Sequence, residues 1–342
     1  MDTYSFAPES CHEYLMDRAP LALTFDPHKH SDPDSFDAWR RKVGTKLRQL
    51  LGDTPAKVPL NIRHEFETRH KEFVERRFVF TAEKNADVPC HLLLPTHGSA
   101  PFPVMICLQG HSTGMHISLG RPKYEGDEKS ISGGDRDFAI RAVKEGFAAL
   151  VMEQRCFGER KDAKHAGSRC HQATMVSLLL GRTMIGERVW DVSRAIDALA
   201  TFPELDSDKI ACMGNSGGGT ITYFAACCDP RIKAAMPSCY VCTFRDSIGR
   251  IHHCEDNYVP GILKWFEMGD LACLIAPRPL VVVAGKEDEI FPIKGVRSTF
   301  RRIRDIYSAA GHKDKCRLVV GNGGHRFYAD DAWPRFKQLT RW

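Results

Sequence analysis

Along this chain the spacing of apolar residues changes repeatedly, and each change predicts an element. Phe36, Trp39, Val43, Leu47 and Leu50 recur three or four residues apart, which predicts an amphipathic helix over residues 35–51. Residues 65–80, which include the partly alternating EFVERRFVF, and the short apolar run VPCHLLLP within 88–95 predict N-terminal antiparallel strands. A repeating unit then begins. PVMICLQG predicts a buried strand, RDFAIRAVKEGF a helix stopping at Gly146, and AALVMEQR a second buried strand. Val189, Val192, Ile196 and Leu199 mark one face of a further helix, with Pro203 just beyond it. KIACMGNS, KAAMPSCY, PLVVVAG and CRLVVGN predict four more buried strands. GGGTITYFAACC and RSTFRRIRDIYSAAG predict the helices among them.

Continuous apolar strands suit a parallel sheet covered on both faces, and their alternation with helices predicts a doubly wound α/β fold. No internal repeat, low-complexity tract or linker interrupts the pattern. The simplest division is a helical extension over residues 1–60 and one catalytic domain over 61–342.

Composition narrows the function classes. The chain has 342 residues, 43% of them hydrophobic, enough for a large core. Its 48 basic and 43 acidic side chains leave a net charge of +5, without the dense basic stripe that nucleic-acid binding needs. No apolar run approaches the roughly 18 residues of a membrane span. The first twenty residues carry acids and no apolar core, so a secretory signal is not expected there. Thirteen cysteines, an odd number scattered partly through apolar runs, read as reduced thiols and point to the cytoplasm. The single C-x-x-C, Cys239 to Cys242, has no second pair beside it and reads as structural. His252-His253-Cys254 lacks partners at metal-ligand spacing and reads as packing or pocket lining. Neither a metal nor a cofactor is expected.

The chemistry concentrates in Gly214-Asn215-Ser216-Gly217-Gly218, which matches G-x-S-x-G between a predicted strand and a predicted helix. That is the context of a nucleophile elbow. The turn is so sharp that residues two positions either side of the serine must be small, and Gly214 and Gly218 meet that demand. A phosphate-binding loop would need G-x-G-x-x-G or G-K-[ST], and neither is present.

A serine needs a base, and ligands in this fold class sit beyond the C-terminal ends of the strands. After PLVVVAG come Glu287, Asp288 and Glu289; after CRLVVGN comes His325. His312 precedes its strand and is rejected. Asp288, third after Gly285 at the crest of its turn, is the preferred acid, with Glu287 as the fallback. The order Ser216, Asp288, His325 is that of α/β-hydrolases. The expected oxyanion donors are the N–H of Gly217 and the N–H of His111 in the loop after PVMICLQ. No task is assigned to the His111 imidazole.

QGHSTG, MEQRCFGER, VWDVSRAIDAL, GNSGGG, GDLACLIAPRPLVVVAGKEDEIFP and GGH together resemble the α/β-hydrolase superfamily, in its acetyl xylan esterase and dienelactone-hydrolase-like branch. The resemblance covers most of the chain from about residue 88. Dienelactone hydrolases use a cysteine nucleophile; Ser216 at that position favours the esterase side. The resemblance implies hydrolysis of carboxylic esters, often short acyl groups on sugars or small molecules, without a cofactor. Segments 175–180 and 241–268 are expected either to roof the pocket with Leu178, Leu179, Phe244, Trp265 and Phe266 or to pack peripherally. The loop 159–171 carries a small excess of basic residues, which either favours an anionic substrate or is simply solvated. A peptidase or acyltransferase on the same triad, or a non-catalytic binder on a hydrolase scaffold, are the alternatives. Substrate identity and oligomeric state stay open.

Overall fold

A computed structural model describes residues 6–18, 21–164 and 170–342. Its centre is one sheet of nine strands: β1 (Arg63–Arg69), β2 (Phe73–Glu83), β3 (Ala86–Pro95), β4 (Phe102–Leu108), β5 (Ala148–Met152), β6 (Leu205–Asn215), β7 (Ile232–Ser238), β8 (Leu280–Gly285) and β9 (Cys316–Gly321). The spatial order is β1-β2-β3-β5-β4-β6-β7-β8-β9. The first three strands and the β3–β5 pair are antiparallel, and every pairing from β5 through β9 is parallel.

The helices are α1 (Pro8–Arg18), α2 (Pro33–Leu51), α3 (Asp127–Gly134), α4 (Phe138–Lys144), α5 (His171–Leu179), α6 (Met184–Leu199), α7 (Gly217–Cys228), α8 (Ile293–Ala309) and α9 (Ala329–Thr340). They cover both faces of the sheet. In β4, Val104, Ile106 and Leu108 join a core layer with residues of α2, α6, α7 and α8. Met105 and Cys107 point the other way, into a layer with α4 and α9. In β8, Leu280, Val282 and Ala284 face the first layer, and Val281 and Val283 the second. Successive strand side chains alternate between faces, so two covered faces require an unbroken apolar run. This is the α/β-hydrolase fold. Phe36, Trp39, Val43, Leu47 and Leu51 of α2 share the first core layer with the sheet.

The N-terminal strands number three rather than two, because residues 70–72 break the predicted 65–80 segment. All seven residues of β1 are exposed, so no apolar period marks it. The helix predicted to stop at Gly146 does so, with that glycine at φ +94°. Helices α1, α3, α5 and α9 had no counterpart in the predicted pattern. No helix of the described residues is long and apolar enough to cross a membrane. All thirteen cysteines carry free thiols.

Candidate active site

Strand β6 ends at Asn215, α7 begins at Gly217, and Ser216 joins them at φ 59° and ψ −124°. A side chain at positive φ is strained, and the surrounding backbone holds it there. The Ser216 N–H donates to the Ser238 carbonyl at 2.9 Å, and its carbonyl accepts from Thr220 N–H at 2.8 Å. A Cβ on Gly214 would lie 2.6 Å from the Gly218 carbonyl carbon. One on Gly218 would overlap the Leu108 carbonyl oxygen. Both glycines are therefore required by close backbone approach. The free N–H groups and positive end of α7 start immediately after the serine.

The loop after β8 carries Asp288. Its Oδ1 accepts the N–H groups of Ile290 at 2.9 Å and Phe291 at 3.1 Å, which turns Oδ2 toward Nδ1 of His325, 2.8 Å away. Asp288 is 4% exposed, whereas Glu287 and Glu289 lie in solvent. Burial works against the charge of Asp288, but the hydrogen bonds from His325, Phe291 and Ile290 outweigh it and hold the carboxyl below its ordinary value. The His325 ring stacks on Phe291 with centroids 5.9 Å apart. The N–H of Glu287 donates to the Gly323 carbonyl at 2.8 Å and ties the two loops together. His312 is exposed and precedes β9, away from this group.

Ser216, Gly217, His325 and His111 all line one cavity of about 500 Å³, with Arg136, Cys170, His252, His253, Cys254 and Phe291 among the other walls. The loop after β4 forms the wall nearest the serine. A Cβ on Gly110 would lie 2.6 Å from the Asn215 carbonyl oxygen and 3.0 Å from Ser216 Cβ. A buried acid fixes this loop from behind. Glu153 Oε1 accepts Gln109 Nε2 at 2.5 Å, and Oε2 accepts the N–H of Met115 at 3.0 Å and of Glu159 at 3.3 Å. Burial pushes the Glu153 carboxyl up to about 7, against those backbone N–H groups. Gly158, at φ +45°, leaves room for the carboxylate. The glycines of QGHSTG and CFGER thus serve one joint.

The His111 imidazole is engaged. Its Nε2 lies 3.1 Å from Oδ2 of Asp256, which is 2% exposed and also receives Arg188 Nη1 at 2.7 Å. Burial disfavours the imidazolium, but hydrogen bonding to Asp256 and Cys170 raises His111 to about 9. His111, Cys170, Cys254 and Asp256 converge, with one donor atom each, all within 4.8 Å of one another. Cys254 therefore has company of metal-ligand type: Asp256 lies two residues on, while His111 and Cys170 come from separate segments that sequence spacing does not link. Arg188 already places a positive charge there, 3.7 Å from Cys170 Sγ.

Of the two expectations for segment 241–268, its large aromatics follow peripheral packing, while His252, His253, Cys254, Glu255 and Asn257 of the same segment line the cavity. Phe244 and Phe266 are buried in the main core and Trp265 packs against it, so none of the three lines the cavity. Leu179 projects into solvent at 87% exposure. Of the basic loop 159–171, residues 165–169 lie outside the described residues. Sequence reasoning missed Arg136, Asp256 and Asn257. Asp256 and Asn257 follow His252-His253-Cys254 directly, and the crowding of polar types in that segment was the available signal.

The comparisons agree with this architecture. The Abhydrolase family profile matches residues 10–319. The Bacillus subtilis (strain 168) protein YtaP, named as a hydrolase, is 26% identical over 315 residues, covering 89% of this chain and 99% of that one. Among solved structures, a Bacteroides fragilis NCTC 9343 protein assigned as an acetyl xylan esterase superposes with a TM-score of 0.76 at 15% identity, covering 99% of this chain and 90% of that one. A glucuronoyl esterase from Solibacter usitatus superposes with a TM-score of 0.70 at 18% identity, over 94% of this chain and 96% of its own. With its elbow, its sheet and a profile match over most of its length, this chain belongs to the Abhydrolase family.

Proposed function

We propose that the protein is a serine carboxylic ester hydrolase acting on short acyl esters of a sugar or other small molecule. The observation that carries the reading is the His325–Asp288 pair, 2.8 Å apart, beside the same cavity as a serine held at positive φ in an elbow. A carboxylate on Nδ1 selects the tautomer with its proton there and leaves Nε2 to accept one. In this reading His325 takes the Ser216 proton as the hydroxyl attacks the acyl carbonyl, and returns it to the leaving alcohol. Asp288 orients the ring and stabilises its cation. The oxyanion is received by the N–H groups of Gly217 and His111, on the two sides of the narrow approach between Gly110 and Ser216. The acyl-enzyme is then hydrolysed by water through the same steps.

The carbohydrate part of the proposal draws on the relatives. One solved structure is assigned as an acetyl xylan esterase and others as glucuronoyl esterases. A 4-O-methyl-glucuronoyl methylesterase of Wolfiporia cocos (strain MD-104) is 27% identical over 169 residues, 42% of this chain. The test is labelling by a fluorophosphonate probe together with an ester panel. Labelling confined to Ser216, lost with Ser216→Ala along with ester turnover, is expected. Turnover that persists in Ser216→Ala would overturn the mechanism.

A further inference from the structure

Arg136 stands between α3 and α4 and lines the cavity that holds Ser216 and His325. Among the described residues no carboxylate lies within ion-pair distance of its guanidinium, and its Nε is buried without a hydrogen-bond partner. Two acids close by are committed elsewhere. Asp135 pairs with Arg326 at 2.6 Å, and Glu255 pairs with His171 at 2.9 Å. The stretch 165–169, HAGSR, contains no acidic residue. The charged form of Arg136 is disfavoured by burial, and among the described residues the Cys239 thiol is the group that supports it. That thiol is itself pushed up to about 12 by burial, so it is neutral near pH 7.

Arg136 is half-buried, and even a partly desolvated cation without a counter-ion is costly, so folded chains usually pair such groups. Here the unpaired side chain forms a wall of the reaction cavity. From this we infer that Arg136 is the receptor for a carboxylate carried by the substrate, so that the preferred ester is anionic. The inference rests on the ester-hydrolase reading for its setting and adds the substrate class. A carboxylate fits better than a phosphate dianion. One guanidinium fork matches two carboxylate oxygens and one negative charge. Of the histidines that line the same cavity, His171 is already held by Glu255 and His111 by Asp256. The ion pair would form with part of its water already removed, which strengthens it.

The test compares two acetyl esters that differ only in the carboxylate: a mono-O-acetyl methyl glucuronoside and the matching methyl glucoside. The wild type should prefer the acid, and Arg136→Met should lower kcat/KM on it by about 30-fold or more while changing the neutral ester by less than about 3-fold, the range expected for a charged hydrogen-bonded pair. Arg136→Lys, which keeps the charge and loses the fork, should fall between the two. An equal loss on both esters, or a wild type indifferent to the carboxylate, would overturn the assignment. Binding gives a readout independent of turnover. Methyl glucuronoside should bind Ser216→Ala more tightly than methyl glucoside, and Arg136→Met in that background should abolish the difference. If the wild type turns over no member of the ester panel, these two included, but this binding difference holds, the hydrolase reading fails and the anion site stands. If esters are hydrolysed and binding shows no such difference, the reverse follows.

Discussion

Gly218 and Leu108 meet through backbone alone: a Cβ on the glycine would occupy the space of the leucine carbonyl oxygen. That contact seats the first turn of α7 against the end of β4 and so sets the distance between the elbow and the loop carrying His111. Backbone on both sides leaves nothing flexible to give way. Gly218→Ala should therefore lower the melting temperature by about 10 °C or more, or prevent folding, as large values follow from steric overlap in a buried site. Gly133→Ala, where a Cβ meets nothing within 4 Å, is the matched control and should leave stability and activity near wild type. A Gly218→Ala protein as stable and active as the control would show that the elbow is looser than described.

The Asp288–His325 pair makes a second prediction. Ser216→Ala and His325→Ala should each reduce kcat by about 10⁴-fold or more, and the double variant should be little worse than either, because members of a triad act as a unit. Asp288→Asn should also be severe, since an amide on Nδ1 stabilises the wrong tautomer. Glu287 is exposed, so Glu287→Gln should keep near-normal turnover. Steady-state kinetics on a p-nitrophenyl ester decide it. The assignment of the acid is wrong if Glu287→Gln is crippled and Asp288→Asn is not.

These two groups also mark what was legible in the chain. The parallel strands could be read because two covered faces leave no polar position in β4, β5 or β8. The elbow could be read because its glycines are demanded by backbone contacts within a few residues of the serine. Asp288 could be placed because it follows its strand directly. What stayed hidden depends on contacts between distant segments. β1 is exposed along its whole length, so burial imprinted no period on it. The His111–Asp256–Arg188 cluster joins two separate loops and helix α6, and no local spacing announces it. The 241–268 segment was a candidate roof because its aromatics are large, yet Phe244 and Phe266 are spent on the core instead.

Glu75 on β2 should govern part of the acid stability. It is 2% exposed and held by His91 at 2.6 Å and by Arg121 at 2.8 and 2.5 Å. Burial opposes its charge, but these partners outweigh burial and hold the carboxyl well below its ordinary value. A carboxyl depressed in the folded state contributes stability above its unfolded value, near 4.5, and loses it as the pH falls toward the folded value. Glu75→Gln should therefore melt well below wild type at pH 7, and the gap should narrow steadily from pH 5 toward pH 3. Thermal melts across that range check it. A gap independent of pH would mean that the loss is one of packing rather than charge.

Acyl size follows from the lining of the cavity. Long-chain esters need a continuous apolar surface, and each further methylene contributes at most about 0.8 kcal/mol when it is buried in one. Around Ser216 the walls carry His111, Arg136, His252, His253 and Glu255, and Ile290 and Phe291 are the large apolar side chains among them. Burying an alkyl chain beside such groups would strip water from them without replacing their hydrogen bonds. The aromatics that would have lengthened an apolar tunnel, Phe244 and Phe266, are packed into the core. We therefore expect kcat/KM to be highest for acetyl to butyryl esters and to fall beyond them. A p-nitrophenyl series from C2 to C12, kept below the micelle-forming range, measures this. A maximum at C8 or longer would defeat the short-acyl proposal. It would direct attention to Met175, Val176, Leu179 and Leu180, the apolar side chains of α5 and the residue after it that are exposed at 41%, 41%, 87% and 64%. Charged replacements at Leu179 and Leu180 would then cut the long-chain rate while sparing acetyl esters. Under the short-acyl reading, the same replacements should change neither.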